Sequence, residues 1–241
     1  MSGKNIFGLN PTVVKLDEKL PWQISDVIFT YIFVFVLSLI ITGVLLYVSF
    51  DINPGVYTAF FQLMISFITL GIVYLIVTVK HRIPFKEAFG IDFQQTPYFF
   101  KTGVVTSIVI LLTTASVNFI FSRTSGTVEQ NPYGVMPEDK IRAIIFLAVF
   151  VAPIVEEIFF RGFMQPALIR SMGTIPGIFF TALIFGVSHT QYLNYSVALI
   201  SVTAIGLILG GVKYMTNSVV PGIFAHLFNN LIAVLSLLSV I

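Results

Sequence analysis

Two adjacent glutamates and an arginine interrupt an otherwise apolar part of the sequence. They are Glu156, Glu157 and Arg161, in a run that begins at Pro153. Each ionised side chain at the centre of a membrane helix costs roughly 2.5 to 3.5 kcal/mol, so three so close together indicate a function. Glu157 and Arg161 are four residues apart and can pair on one helix face. A purely structural interpretation, in which Arg161 marks the end of the helix, accounts for one glutamate but not for both.

Two histidines lie in similarly apolar surroundings further along the chain. His189 follows Phe185 by four residues, and His226 precedes Asn230 by four. Residues four apart share a helix face, so His226 and Asn230 can point to the same side. A single intramembrane histidine often does no more than join two helices by a hydrogen bond. Two histidines, an asparagine and an acidic pair on three different helices favour a common site instead. For His81, which lies in a basic loop, we expect a solvated position.

These side chains have the chemistry for hydrolysis of a peptide bond. The reaction requires an activated water, a proton donor for the leaving amine and donors directed at the oxyanion. Glu156 with His189 can position and deprotonate the water. Adjacent carboxylates resist simultaneous ionisation, and Arg161 would hold one of them, by its spacing Glu157, in the ionised form. His226 and the asparagine on its face can then donate to the oxyanion, while the division of labour between the two glutamates stays open.

The composition shows what kind of scaffold must position these residues. Only 10% of the 241 residues are charged, 56% are hydrophobic and the mean hydropathy is +0.96. Soluble domains have about 25% charged residues, so the chain is predicted to be an all-α integral membrane protein with its helices in one bundle. A helix needs about 20 apolar residues to cross the bilayer. Seven apolar runs, within a range of six to eight, predict transmembrane helices at 27–50, 55–79, 102–122, 143 to about 163, 174–189, 197–212 and 219–241.

The basic residues predict the orientation, because cytoplasmic loops carry an excess of Lys and Arg. With the N-terminus inside, ten fall in cytoplasmic segments and three outside. The ten are Lys4, Lys15, Lys19, Lys80, Arg82, Lys86, Lys101, Arg161, Arg170 and Lys213, and the three are Arg123, Lys140 and Arg142. We therefore expect a multi-pass protein with a cytoplasmic N-terminus, in a bacterial plasma membrane. Its first helix is too long for a signal peptide and is predicted to be retained as an anchor.

Two further compositional features exclude other classes of protein. The chain has no Cys, which excludes disulfides, a thiolate nucleophile and Cys-ligated metals. The formal net charge of +2 is too small to indicate a nucleic-acid partner.

Helix rises of 1.5 Å per residue place Glu156 and His189 at similar heights, in the half of the membrane that faces the cytoplasm.

The polar motifs resemble the signature of the CPBP family of intramembrane proteases, the CAAX-protease and bacteriocin-processing group once called the abortive-infection family. That signature is Glu-Glu-x-x-x-Arg, Phe-x-x-x-His and His-x-x-x-Asn on successive helices. It is matched in order by Glu156, Glu157, Arg161, Phe185, His189, His226 and Asn230. The resemblance covers residues 143–241 as the catalytic helices, whereas 1–142 match only as membrane helices and loops, within a single structural domain.

The resemblance implies an α-helical bundle whose cavity opens toward the cytosol and the bilayer. It implies an endopeptidase that cuts a membrane-associated peptide or protein, in CAAX-type or bacteriocin-type processing. The expected partners are that substrate and membrane lipids, without nucleic acid, and the oligomeric state stays open. Family members that cleave CAAX sequences imply a water activated by Glu and His without metal, and we expect no cofactor. Zinc is the alternative, with Glu156, His189 and His226 as its ligands.

Two other functions remain as alternatives. Buried Glu, Arg and His also form proton relays, so a proton-coupled transporter is one. The lack of charged residues inside the spans of the first half argues against it. A catalytically silent membrane scaffold or immunity protein is the other, because a complete motif permits catalysis without requiring it.

Overall fold

The computed structural model describes residues 20–48, 54–125 and 145–238, and all regular secondary structure in them is helical. The first half contains α1 (Ile24–Val48), α2 (Pro54–Tyr74, continued by a π-helix at Leu75–Lys80), α3 (Phe85–Ala88) and α4 (Thr96–Ser125). The second half contains α5, α6 (Thr174–Ser188), α7 (Ser196–Thr216) and α8 (Val220–Leu238). Helix α5 is a continuous run of π-helix Leu147–Val151, α-helix Ala152–Glu156, π-helix Glu157–Met164 and α-helix Gln165–Met172. Short 3-10 turns lie at Phe93–Gln95 and Thr190–Tyr192.

The helices confirm the predicted all-α membrane bundle. Four of those described are long and apolar enough to cross a membrane, at Ile24–Val44, Ala59–Lys80, Phe93–Arg123 and Ser196–Thr216. Two shorter apolar helices lie at Thr174–Ser188 and Val220–Ser236. The remaining long helix is α5, which carries the acidic pair.

Helix α5 is longer than the sequence predicted. It continues past residue 163 to Met172 and ends at Gly173, whose φ of +89° favours glycine. Gln165 is a polar residue within this extension. Gln165 is nevertheless fully buried, and its side-chain amide donates to the carbonyl of Gly210 on α7 at 3.0 Å. A buried, hydrogen-bonded amide can continue a membrane helix at little cost.

Close packing of α6 against α7 brings the second-half helices together around α5. A Cβ added to Gly206 on α7 would lie 3.0 Å from the Cα of Ala182 on α6. Glycine is required there because any side chain would push the two helices apart. Helix α8 packs instead on α4, where the ring of Phe100 meets Phe224 and Phe228 edge-on at 5.4 and 5.8 Å.

The two ends of the bundle differ in charge. The basic end holds residues 20–23, 81–95, 173 and 217–219, which meet where the Val219 amide donates to the Phe89 carbonyl at 3.1 Å. Exposed basic side chains surround it, namely Lys80, Arg82, Lys86, Lys101 and Arg170. The far end holds residues 125, 145 and 189–195. This assignment follows from the alternating direction of the helices.

Three ionisable side chains differ from their predicted environments. Arg161 and Lys213, which were counted among the cytoplasmic residues, are fully buried in the bundle. Neither side chain therefore marks the membrane boundary. His81 is 17% exposed rather than solvated, and its Nε2 lies 3.1 Å from Asp26 Oδ2, beside an ion pair between Asp26 and Lys80. This cluster joins the start of α1 to the end of α2.

The segment before α1 closes the basic end. Trp22 is fully buried, and its indole N–H donates to the Phe163 carbonyl on α5 at 2.8 Å. Its ring packs between Phe163 and Phe89, with centroids 5.7 and 6.5 Å away. Arg170 donates to the carbonyls of residues 20 and 21 at 3.2 and 3.0 Å. The segment is therefore fixed beneath the middle of α5.

We expect Trp22→Ala to lower the free energy of unfolding by about 3 to 5 kcal/mol, because it leaves a large cavity and removes a buried hydrogen bond. Equilibrium unfolding in detergent micelles measures the change. Phe67→Ala is the control, since Phe67 is 70% exposed on α2 and should change stability far less. Equal effects of the two substitutions would contradict the role given to Trp22.

Candidate active site

A buried ion pair lies at the base of the site. Arg161 Nη1 is 3.1 Å from Glu157 Oε1, and both side chains are completely buried. The guanidinium lies 4.0 Å from the ring centre of Phe185 on α6, and its Nη2 donates to the Gly206 carbonyl on α7 at 3.4 Å. The π-helical turn over 157–164 holds both side chains on the inner side of α5. The predicted pairing of Glu157 with Arg161 is thus present.

His226 on α8 contacts the same glutamate. Its Nδ1 lies 3.2 Å from Glu157 Oε1 and, because a carboxylate accepts, Nδ1 carries the hydrogen. Its Nε2 is therefore directed away, toward Glu156 Oε2 at 3.8 Å. Glu157 thus binds Arg161 on one side and orients His226 on the other.

His189 faces Glu156 from the end of α6. Its Nδ1 lies 2.8 Å from the Phe185 carbonyl, which can only accept, so Nδ1 is again the protonated nitrogen. Nε2 lies 3.8 Å from Glu156 Oε2. The Tyr192 ring stacks on the imidazole with centroids 6.1 Å apart and an angle of 9° between planes. The orientation of the His189 imidazole is thus fixed by a backbone carbonyl and by an aromatic ring.

Glu156 differs from its neighbour in exposure. Its side chain is 24% exposed whereas that of Glu157 is fully buried. Both imidazole Nε2 atoms lie 3.8 Å from Glu156 Oε2, which is too long for direct hydrogen bonds, and this oxygen is buried without a hydrogen-bond partner among the described residues. Adjacent positions in the sequence therefore occupy two different environments.

Glu156 opens into a cavity of about 650 Å³. Four of the six predicted site residues line it, namely Glu156, His189, His226 and Asn230, whereas Glu157 and Arg161 lie beneath them. Phe160 and Phe185 also line the cavity, beside these four residues. The Asn230 amide donates to the Ala148 carbonyl on α5 at 2.8 Å, so its orientation is fixed too.

Gly222 is a site residue that the sequence analysis missed. A Cβ at this position would lie 2.7 Å from Glu157 Oε2, so only glycine leaves room for the buried carboxylate. Its spacing in the sequence could have indicated it, because residues 222, 226 and 230 follow one another at intervals of four and share one face of α8.

The spacing of the three candidate zinc ligands does not test the zinc alternative. Among the described residues, no group of three or more His, Asp and Glu side chains is arranged to hold a metal ion. Ligand atoms of a tetrahedral zinc lie about 3.3 Å apart at bond lengths near 2 Å. Glu156 Oε2 is 3.8 Å from both histidine nitrogens. Metal dependence therefore stays a question for experiment.

The apolar helices around this polar site are those of an integral membrane protein, and comparison with known families agrees. Residues 139–232, less than half of the chain, match the family described as type II CAAX prenyl endopeptidase Rce1-like. The match includes all six predicted site residues and confirms the resemblance to the CPBP and CAAX protease family. It supports a membrane hydrolase of the CAAX endopeptidase type in general, with a membrane-associated peptide or protein as substrate. No curated protein and no solved structure matches the chain significantly.

We expect Gly222→Ala to reduce cleavage of membrane-tethered peptides at least about tenfold, because the new methyl group displaces the carboxylate that orients His226. Gly211→Ala is the matched control, since nothing lies within 4 Å of a Cβ at that helical position. Thermal unfolding of both variants shows whether the fold is retained. Equal activities in the two folded variants would contradict the role of Gly222.

Proposed function

We propose that the chain is an intramembrane endopeptidase in which Glu156 and His189 activate a water for attack on a peptide bond. The observation that carries this proposal is the convergence on one glutamate oxygen of two oriented imidazoles, each 3.8 Å away, at the wall of a cavity of about 650 Å³. The family match over 139–232 supports the same class of reaction.

Glu156 is proposed as the general base. The Oε1 atom of Glu157 is already engaged by Arg161 and His226, and its side chain is excluded from the cavity. Glu156 is the carboxylate that reaches the cavity, where it can accept a hydrogen bond from a water. It takes a proton as the water oxygen bonds to the substrate carbonyl carbon. It then returns that proton to the leaving amine nitrogen as the C–N bond breaks.

His226 and Asn230 are proposed to stabilise the oxyanion from one face of α8. Donation from Nε2 requires a hydrogen there in addition to the one on Nδ1 that Glu157 Oε1 accepts. Asn230 uses one amide hydrogen on the Ala148 carbonyl, which leaves the second for the substrate. Such donors contribute about 3 to 4 kcal/mol each in other hydrolases.

We expect Glu156→Gln and His189→Ala to lower the rate of peptide cleavage by about 10²-fold to 10⁴-fold, the usual contribution of a general base. The assay uses the purified chain in liposomes with a panel of membrane-tethered, fluorescence-quenched peptides. Glu87→Gln is the matched control, because Glu87 is exposed on α3 at the basic end. Cleavage that survives both site substitutions would exclude this site.

The same liposomes test the alternative functions. If no peptide is cut while Glu156→Gln abolishes uptake driven by a pH gradient, the chain is a carrier. If neither cleavage nor uptake occurs with the folded protein, the result supports the scaffold hypothesis.

We expect chelation to leave cleavage unchanged, because Glu156 and His189 suffice to position the water in the proposed mechanism. Activity is measured before and after treatment with a zinc chelator, with metal analysis of the same sample. Loss of activity that is restored by zinc, but not by magnesium, would contradict the metal-free mechanism.

A further inference from the structure

One polar side chain of the first half of the chain reaches the cavity. Gln62 on α2 lines it together with Glu156 and His226, and the other lining residues lie at position 145 and beyond. The family match begins at residue 139 and does not cover α2. Neither the motifs nor the match therefore gives Gln62 a role.

The position of Gln62 within an apolar span requires an explanation. Helix α2 contains the candidate membrane span Ala59–Lys80. Two hydroxyls in this span are satisfied within the helix, since Thr69 and Thr78 each donate to a backbone carbonyl four residues earlier, at 2.8 and 2.6 Å. Gln62, by contrast, is exposed and makes no hydrogen bond to any other residue that the structure describes. Polar side chains inside a membrane protein typically face a cavity and mark the path of a substrate.

Gln62 and Glu156 lie at similar depths in the bundle. Helix α2 packs along the part of α5 that carries Glu156. Both helices reach the basic end, where their helical runs finish at Lys80 and Met172. Measured back from these residues at 1.5 Å per residue, Gln62 is about 27 Å and Glu156 about 24 Å along its helix. The carboxamide and the proposed general base are therefore level with each other on different walls of one cavity.

We propose that Gln62 binds the backbone of the substrate peptide beside the scissile bond, an inference that rests on the proposed function. A carboxamide has one acceptor oxygen and two N–H donors. An extended peptide presents both N–H and C=O groups along its backbone, so one carboxamide can bind a donor and an acceptor of the same chain. Gln62 is thus a substrate-binding residue, whereas proton transfer stays with Glu156.

A contact from α2 complements the donors proposed on α8. His226 and Asn230 are directed at the carbonyl oxygen of the scissile bond, from one wall of the cavity. Gln62 holds the neighbouring backbone from another wall, so the peptide is fixed at two places when the water attacks. Backbone contacts select an extended conformation rather than particular side chains. The structure therefore assigns to α2 a preference for extended peptide over folded or helical segments.

The substitution Gln62→Met tests this role, because it removes the carboxamide and keeps the length and helix propensity of the side chain. We expect the KM for membrane-tethered peptides to rise about threefold to tenfold, the contribution of one hydrogen bond, while kcat stays unchanged. Gln94→Met is the matched control, since Gln94 is exposed at the basic end and does not line the cavity. An unchanged KM in the folded Gln62→Met variant, or a fall in kcat alone, would overturn the proposal.

Modified substrates test the contact itself. Peptides in which one backbone amide near the scissile bond is replaced by an ester each lack a single N–H donor. At one position we expect the ester to raise the KM of the unmodified protein about threefold to tenfold and that of Gln62→Met no further. Additive effects of ester and substitution at every position would show that Gln62 does not bind this backbone. Gln62→Leu replaces Gln62→Met if thermal unfolding shows that the first variant is misfolded.

Binding without cleavage separates this proposal from the proposed function. Fluorescence anisotropy measures the affinity of the same peptides for the Glu156→Gln variant, with and without Gln62→Met. We expect the second substitution to weaken binding by the factor seen in KM. If no peptide is cut but binding falls in this way, the proposed function fails and the peptide-binding role of Gln62 stands. Equal binding by the two variants, or no binding by either, would overturn that role.

Discussion

The contact between Glu157 and Arg161 is the constraint on which the site depends. Two full charges in a dry bundle are tolerated only as a pair, and loss of one partner of a buried pair typically costs about 3 to 5 kcal/mol. Each charge also requires partners from other helices. Arg161 finds them on α6 and α7, and Glu157 finds His226 on α8. One ion pair thereby determines how four helices meet.

The pair also separates the roles of two adjacent glutamates. Glu157 is held by Arg161 and is buried, so it serves to orient His226. Glu156 is rotated by about 100° along the helix, which carries its carboxylate to the wall of the cavity. The two carboxylates thus lie next to each other but make different contacts. The proposed mechanism requires such a division, with one carboxylate held in place and the other free to exchange a proton with the substrate.

The sequence predicted the helices and the cluster because both depend on local rules. Apolar runs indicate spans, and intervals of four residues indicate a shared face. The contact of His226 with Glu157 joins residues 69 positions apart, and no local rule predicts it. The burial of Lys213 and Gln165 was missed for a related reason, since hydropathy treats a polar residue as exposed whether it meets water or another helix. Whether the named residues perform catalysis stays a prediction.

The same limit explains why the opening of the cavity could not be predicted from the sequence. Distance along a helix predicts how far a residue lies from either end of that helix, and by that measure Glu156 lies near the middle of α5. Access is decided by what fills the space on each side of the cluster. Here Trp22 comes from the segment before α1 and packs against Phe163, far along the chain, so the route from the cluster to the basic end is blocked. Toward the far end the cavity stays open, because α6 ends at Ser188 and residues 188–192 line the cavity there. The direction in which the cavity opens therefore depends on the short length of α6 and on the long-range contact of Trp22 with Phe163.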